Sequence, residues 1–302
     1  MYKVQLKTFA LSLLLFISLV SANPVSGPLP EVWDNLNGTA GEPLSPYEIY
    51  LADELKLNIT IHFEPISTRS YYDSISKTIS DTAFDYFRIN TPININYSIP
   101  NSFEIGLRIP YVVRISPMDR KNTSGFSDFS LRVRKKIIGD KDSKIYFAIG
   151  GGVKFPTAGE VDYDDLLLSY RSFDLFLGAY TMVKTGIIKY PIALTYSHTG
   201  RGMYSDRVGE IITYRVGLIT DLGHLFDFNL GLKGYEIPEE GFSIHSFSWR
   251  APHGSSKTSV EAGINIQSKE NRLNFSAGII HDLRGKRSYI GTYPFFSMQV
   301  NF

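Results

Sequence analysis

Charged residues recur at alternate positions in many segments of the sequence, and they are the side chains from which a site could be built. Alternation puts such residues on one face of a β-strand. The candidates for this face are Arg88, Glu104, Arg108, Arg114, Arg132, Arg134, Lys154, Asp174, Lys189, Arg215, Asp227, Lys233 and Glu261. Lys56, Lys136, Lys144 and Arg272 share its parity. Basic residues dominate, so a cavity lined by this face would favour anionic solutes.

A second interpretation of the same charges is structural. Side chains that cannot face lipid would fill a narrow barrel and pair across it, without any solute. The sequence leaves both interpretations open.

One short stretch carries residue types used in hydrolysis. His198 lies between Ser197 and Thr199, with Ser205 downstream. The stretch is similar to the His-containing strand of outer-membrane phospholipase and lipid A deacylase families, in which a serine two residues after the histidine is the nucleophile. Position 200 is glycine here, so a lipid esterase is the least favoured hypothesis.

Metal and cofactor chemistry have no support in the sequence. The six histidines show no ligand spacing such as His-x-x-x-His, and cysteine is absent. The run Gly150-Gly151-Gly152 lacks the Gly-Lys-Ser/Thr ending of a phosphate loop. We therefore expect no metal, no cofactor and no enzymatic activity.

Twelve segments with period-2 alternation must position the charged face. They span 56–63, 86–97, 103–115, 129–137, 144–154, 171–182, 187–196, 211–220, 225–233, 258–267, 272–280 and 293–302. A tilted membrane strand needs about 9 to 11 residues, and these segments are near that length.

The connections between the segments alternate strictly between long and short. The long ones are 64–85, 116–128, 155–170, 197–210, 234–257 and 281–292, and the short ones are 98–102, 138–143, 183–186, 221–224 and 268–271. Long external loops and short periplasmic turns are typical of membrane barrels. The sequence thus predicts an all-β, antiparallel, up-and-down transmembrane barrel of about twelve strands, with both termini periplasmic.

The opposite face of the segments is apolar, as a lipid-facing surface requires. A Lys or Arg at mid-membrane there would cost about 2 to 4 kcal/mol, and only Lys135 and Arg171 have outward parity, both near segment ends. The aromatics predicted for the interfacial girdles are Phe63, Phe103, Tyr111, Phe129, Phe173, Tyr196 and Phe302. A secreted sandwich or lipocalin-like barrel also alternates, but it turns its charged face outward.

The two ends of the sequence fit this interpretation. Lys3 and Lys7, an apolar run and Val20-Ser21-Ala22 predict a signal peptide at 1–22, followed by a periplasmic or lumen-directed lead-in at 23–55 and a barrel at 56–302. A capping-box pattern in 45–48 predicts a short helix. The alternating residues Phe296, Met298, Val300 and Phe302 resemble the C-terminal insertion signal of outer-membrane barrels. We expect this last strand to pair with 56–63.

Two further stretches carry a family resemblance. Gly125-Phe126-Ser127-Asp128, followed by Lys154-Phe155-Pro156-Thr157-Ala158-Gly159, resembles the pattern of outer-membrane proteins described as a MetA pathway of phenol degradation family, and of related uncharacterised barrels. The resemblance covers about residues 100–235. It implies a transporter-like barrel associated with hydrophobic or aromatic compounds.

The functional hypothesis is passive, selective passage of small solutes through a porin-like barrel in the Gram-negative outer membrane. The alternatives are a structural or adhesive surface barrel without conduction and, less favoured, the esterase. The expected partners are outer-membrane lipid, the barrel-assembly machinery and a small solute. The net charge of +1 argues against nucleic acid, and we expect a monomer.

Overall fold

The computed structural model describes residues 46–51, 56–73, 78–100, 102–116, 121–158, 169, 171–200, 210–222, 226–237, 255–268, 272–286 and 291–302. The predicted signal peptide at 1–22 and residues 23–45 of the lead-in lie outside these ranges. Within them, no helix has both the length and the apolar character needed to cross a membrane.

The described chain consists of one single-turn 3-10 helix, Pro46–Ile49, followed by β-strands. The helix confirms the short helix predicted from the 45–48 pattern. The strands are β1 (Leu57–Asp73), β2 (Thr78–Ile99), β3 (Phe103–Ser116), β4 (Lys121–Phe126), β5 (Ser130–Ile138), β6 (Ile145–Lys154), β7 (Asp174–Thr185), β8 (Ile188–Thr199), β9 (Glu210–Asp221), β10 (Phe226–Ile237), β11 (Ser255–Gln267), β12 (Leu273–Lys286) and β13 (Thr292–Asn301).

The strands form one closed antiparallel barrel. Consecutive strands pair from β5 through to β13, β13 pairs with β1, and β1, β2 and β3 pair in order. β5 pairs with Phe103–Arg108 of β3 and completes the ring. Twelve strands make the closed barrel of the described chain, and β4 is an extra strand. The predicted all-β antiparallel barrel and its number of strands are confirmed.

The barrel closes between β1 and β13, as predicted from the terminal alternation. The register runs from Asn58 opposite Asn301 to Phe63 opposite Phe296. The ladder stops before Pro65 and Pro294, which have no N–H to donate. The seam between the first and last strands is therefore short.

Three of the predicted long loops are wrong in part. β12 continues through the first half of 281–292, as far as Lys286. Residues 116–128 contain β4, which pairs with Tyr111–Ser116 of β3. Residues 64–85 are largely ladder, because β1 and β2 remain paired as far as Asp73 opposite Thr78. These last two stretches are rich in Ser, Thr and Tyr, so they favour strands without showing apolar alternation.

Arg171 is a further correction. It was predicted within a strand at outward parity, but β7 begins at Asp174. Arg171 has a φ of 51°, a left-handed conformation that does not continue a strand. Lys135 does face outward from β5, where its Nζ lies 5.0 Å from the centroid of the Phe103 ring near the strand end.

The outer surface of the barrel is a belt of exposed apolar side chains. It includes Ile105, Leu107, Leu131, Val133, Ile149, Leu175, Leu177, Ile192, Leu194, Val216, Ile264, Ile266 and Ile279. Aromatic rings meet in pairs near the strand ends, with centroids 5.4 Å apart for Tyr111 and Phe126 and 5.9 Å apart for Phe155 and Phe173. A surface of this kind is suited to lipid, with aromatic rings at its margins.

Candidate functional site

The charged residues singled out in the sequence lie on the inner wall of the barrel. Buried there are Arg88, Glu104, Arg108, Arg114, Arg132, Arg134, Asp174, Arg215, Asp227 and Glu261. Lys154, Lys189 and Lys233 are partly buried. Of the other residues with the same parity, Lys136 is partly exposed, while Lys56, Lys144 and Arg272 are exposed at the turn end of the barrel.

Many of these charges are paired across the wall. Arg134 donates from Nε to Oε1 of Glu104 at 2.8 Å, and the two residues face each other across the β3–β5 ladder. Arg215 on β9 donates from Nε to Oε1 of Glu261 on β11 at 3.0 Å. This second bond crosses β10 at Gly231, where a Cβ atom would lie 3.0 Å from the Glu261 carboxylate. The structural interpretation of the charges holds for these pairs.

A cluster that the sequence did not reveal lies between β1 and β10. Glu64 accepts from Lys233 Nζ at 2.9 Å, and His62 Nε2 lies 3.1 Å from the same carboxylate oxygen. His62 stacks on Phe295 with the ring centroids 5.9 Å apart. Glu64 was missed because it falls in a stretch predicted as a loop.

A second missed pair lies on β11 and β12. Lys257 Nζ is 2.7 Å from Oδ2 of Asp282, and Ser259 donates to Oδ1 of the same carboxylate at 2.6 Å. Both charged residues fall in the predicted loops 234–257 and 281–292. The polar run at the start of β11 shows no apolar alternation from which its face could be predicted.

The two stretches of the family resemblance meet in one network at the long-loop end. Asp128 lies between β4 and β5, where it accepts from the Ala158 N–H at 3.1 Å and from the Ser169 hydroxyl. Lys154 Nζ lies 3.4 Å from Asp128 and 2.7 Å from Asp174. These contacts hold the ends of three connections together, so Asp128 has a structural role here.

Four further arginines, which we call the arginine arc, lie on the inner face of β2, β3 and β5 in two groups, because Arg108 and Arg114 are six residues apart on β3. They are Arg88, Arg108, Arg114 and Arg132, all buried. Arg88 and Arg114 are directly opposite each other in the ladder, an arrangement of like charges that is usually unfavourable. Arg132 donates to Oδ1 of Asn96 at 2.9 Å and lies over Gly106, where a Cβ would meet its Nε at 2.8 Å. The arc makes this part of the wall rich in guanidinium groups, and the Glu48 and Glu104 carboxylates lie near Arg132.

The barrel interior also contains part of its own lead-in. Ile49 and Leu51 pack in a buried cluster with Tyr146, Ala148, Tyr180, Met182, Ala193 and Ile219 of β6 to β9. The side chain of Glu48 is 3% exposed and reaches Asn94 on β2. The sequence predicted a lead-in directed either to the periplasm or to the lumen, and these six residues lie in the lumen.

The hydrolase-like stretch does not assemble into a catalytic group among the described residues. His198 is exposed on the outer face, with its Nδ1 3.4 Å from Oε1 of Glu210. Ser197 and Thr199 are buried on the opposite, inner face of β8, and Ser205 lies outside the described ranges. No group of three or more His, Asp or Glu side chains in these ranges is placed to hold a metal ion.

Comparison with known proteins supports the fold. No protein-family model matches the sequence, and no curated protein matches it. The structure is similar to that of the COG4313 outer membrane channel from Pseudomonas putida, with a TM-score of 0.71 at 13% identity over 86% of this chain and 100% of the other. It is less similar to the NanC porin (TM-score 0.48, 8% identity, 82% of this chain and 98% of the other) and to the β domain of the Bordetella autotransporter BrkA (TM-score 0.44, 14% identity, 82% and 100%). The fold is that of an outer-membrane β-barrel.

Proposed function

We propose that this chain is a channel of the Gram-negative outer membrane that passes small solutes and prefers anions. The arginine arc is the observation that carries the proposal. Guanidinium groups stay charged at any physiological pH, and the low-dielectric wall around them strengthens their field. Such a wall raises the local concentration of anions inside the barrel.

The lead-in residues inside the barrel support passage of small solutes only. A barrel of twelve strands has a narrow lumen, and these residues take up part of it. The apolar cluster around Ile49 supports solutes with a hydrophobic portion.

A relationship to the MetA pathway of phenol degradation family, which the motif around Asp128 suggested, is part of this proposal. We further propose that the long-loop end faces the outside and that both termini are periplasmic.

The proposed partners follow from the surfaces of the barrel. The outer apolar belt would contact outer-membrane lipid, and the last strand, with Phe296, Met298, Val300 and Phe302, would be read by the barrel-assembly machinery. We propose a monomer that binds no nucleic acid, uses no cofactor and catalyses no reaction.

A second candidate is a structural or adhesive surface barrel that does not conduct. The buried ion pairs and the segment inside the lumen favour it, because both fill the interior. Planar-bilayer recording of the purified protein separates the two candidates. Stepwise ion conductance supports a channel, whereas silence after insertion has been verified supports the closed barrel.

A further inference from the structure

The part of the lead-in that lies inside the barrel, residues 46–51, has the contacts of a bound ligand. It presents one carboxylate, on Glu48, and two aliphatic side chains, on Ile49 and Leu51, to different parts of the inner wall. Ile49 has no exposed surface and Leu51 is 8% exposed. The wall residues that surround these groups, which we call the seat, divide into a polar half and an apolar half.

The polar half of the seat holds the glutamate. Asn94 donates from Nδ2 to Oε1 of Glu48 at 2.9 Å. Arg134 donates to the backbone carbonyl of Glu48 while it also binds Glu104. An amide donor beside buried guanidinium groups is a suitable environment for a carboxylate. The seat therefore recognises negative charge at one end.

The apolar half of the seat lies on β6, β7, β8 and β9. Its residues are Tyr146, Ala148, Tyr180, Met182, Ala193 and Ile219, all buried with Ile49 and Leu51. Tyr50 meets Tyr146 edge to face with the ring centroids 4.9 Å apart. One directional contact, from the Leu51 N–H to the Tyr146 hydroxyl at 2.9 Å, fixes the segment here. Lys184 Nζ lies 5.6 Å from the centroid of the Tyr50 ring. The contacts that Ile49 and Leu51 make in the cluster are apolar, and an aliphatic chain of similar size can reproduce them.

We propose that the seat is the solute site of the barrel, built for a small carboxylate with an apolar tail, and that such a solute competes with residues 46–51 for it. The carboxylate takes the place of the Glu48 side chain at Asn94, and the tail takes the place of Ile49 and Leu51 among the aromatic and aliphatic side chains. This inference deepens the proposed function and rests on it for the statement that the solute passes through the barrel. Binding at the seat does not by itself require conduction.

Thiol labelling tests the competition directly, because the chain has no native cysteine. The variant Ile49→Cys is reconstituted in lipid vesicles, and its modification by a charged, water-soluble thiol reagent is timed with and without octanoate. We expect octanoate to accelerate labelling several-fold, since it displaces the segment and exposes position 49. Acetate, which lacks the tail, and octyltrimethylammonium, which carries the same tail with the opposite charge, leave the rate unchanged.

Two further variants, each made in the Ile49→Cys background, test the apolar half and the polar half of the seat separately. Tyr146→Phe keeps the ring but removes the hydroxyl that accepts from Leu51, so the basal labelling rate rises about fivefold, as expected for one net hydrogen bond. Asn94→Leu removes the donor to Glu48 and to the solute carboxylate alike, so the basal rate rises and octanoate does not accelerate labelling beyond that new rate. Asp142→Cys, in an exposed turn, labels rapidly in all conditions and reports reagent access.

The proposal is overturned if octanoate has no effect on Ile49→Cys, if octyltrimethylammonium acts equally well, or if Asn94→Leu retains the full response. Conductance is measured separately on the same preparations. If the barrel conducts but octanoate does not change labelling at position 49, the proposed solute site is refuted and the proposed channel function stands. If the barrel does not conduct but octanoate accelerates labelling at position 49, the solute site stands and the channel function is refuted.

Discussion

Arg134 and Glu104 face each other across the β3–β5 ladder and form a hydrogen-bonded ion pair, with Arg134 Nε 2.8 Å from Glu104 Oε1. Each side chain is 1% exposed. A buried pair of this kind contributes little over an apolar pair of the same shape, but the loss of one partner leaves an uncompensated charge in the wall. The pair therefore makes the integrity of the barrel depend on both residues together.

Glu104→Gln should destabilise the folded barrel by about 3 to 5 kcal/mol, because Arg134 then keeps its charge without its partner. The matched control is Lys136→Gln on the same strand as Arg134. It breaks the ion pair with Asp140, which is exposed, and should cost about 0 to 1 kcal/mol. Urea unfolding in lipid vesicles measures both. An equal loss of unfolding free energy in the two variants would show that the Arg134–Glu104 pair does not stabilise the barrel.

Asp128→Ala should loosen the long-loop end of the barrel. It removes the acceptor for the Ala158 N–H and for Ser169, and one of the two carboxylates around Lys154. Ala158 is 3% exposed, so Ala158→Cys should label slowly in the native background and several-fold faster in the Asp128→Ala background. Asp140→Ala, at the opposite end, should leave the rate unchanged. Slow labelling in both backgrounds would show that Asp128 does not hold this region.

Deletion of Phe302 should impair assembly more than it impairs conduction. The backbone N–H of Phe302 donates to the Leu57 carbonyl at 2.9 Å, which adds a bond at the seam between β1 and β13. Its side chain is 66% exposed on the barrel, where it would be available to the assembly machinery. Outer-membrane protein levels should fall, while molecules that do insert should show normal conductance. Normal membrane levels would count against this role.

The outward positions Leu107→Cys and Ile192→Cys should resist a water-soluble thiol reagent in membranes, because lipid covers them. Both native side chains are exposed on the barrel surface, at 36% and 37%. Asp142→Cys in the turn after β5 should label readily and serves as the positive control. Rapid labelling at 107 or 192 would overturn the assignment of this face to lipid.

Sequence alternation was sufficient to predict the barrel because lipid imposes it. Each strand must turn its apolar residues outward and its charges inward. Alternation alone therefore predicts that Arg108 faces the interior and that Leu107 faces the outside. The same rule placed the last strand beside the first, since an even antiparallel barrel closes only in that way. The predicted strands differ from the observed ones mainly at the long-loop ends, where lipid no longer enforces the pattern and β4 was missed.

The contacts inside the barrel were less predictable. Glu48 lies 46 residues before its partner Asn94 and 86 before Arg134, so only the closed barrel brings them together. Parity indicates that Arg215 and Glu261 face inward, but not that they meet across Gly231. Asp128 belongs to a motif that the sequence revealed, whereas its contacts with Ala158 and Lys154 depend on how the connections fold over the wall.

The most direct test of the central claim is the reversal potential of the reconstituted barrel in a salt gradient across a planar bilayer. We expect anion preference in the native protein and a weaker preference in Arg108→Glu and in Arg132→Glu, with insertion verified for each. Lys135→Glu changes the charge by the same amount on the outer face and should leave the reversal potential unchanged. Cation preference in the native protein, or an equal response to the change at Lys135, would contradict a role for the arginine arc in solute passage.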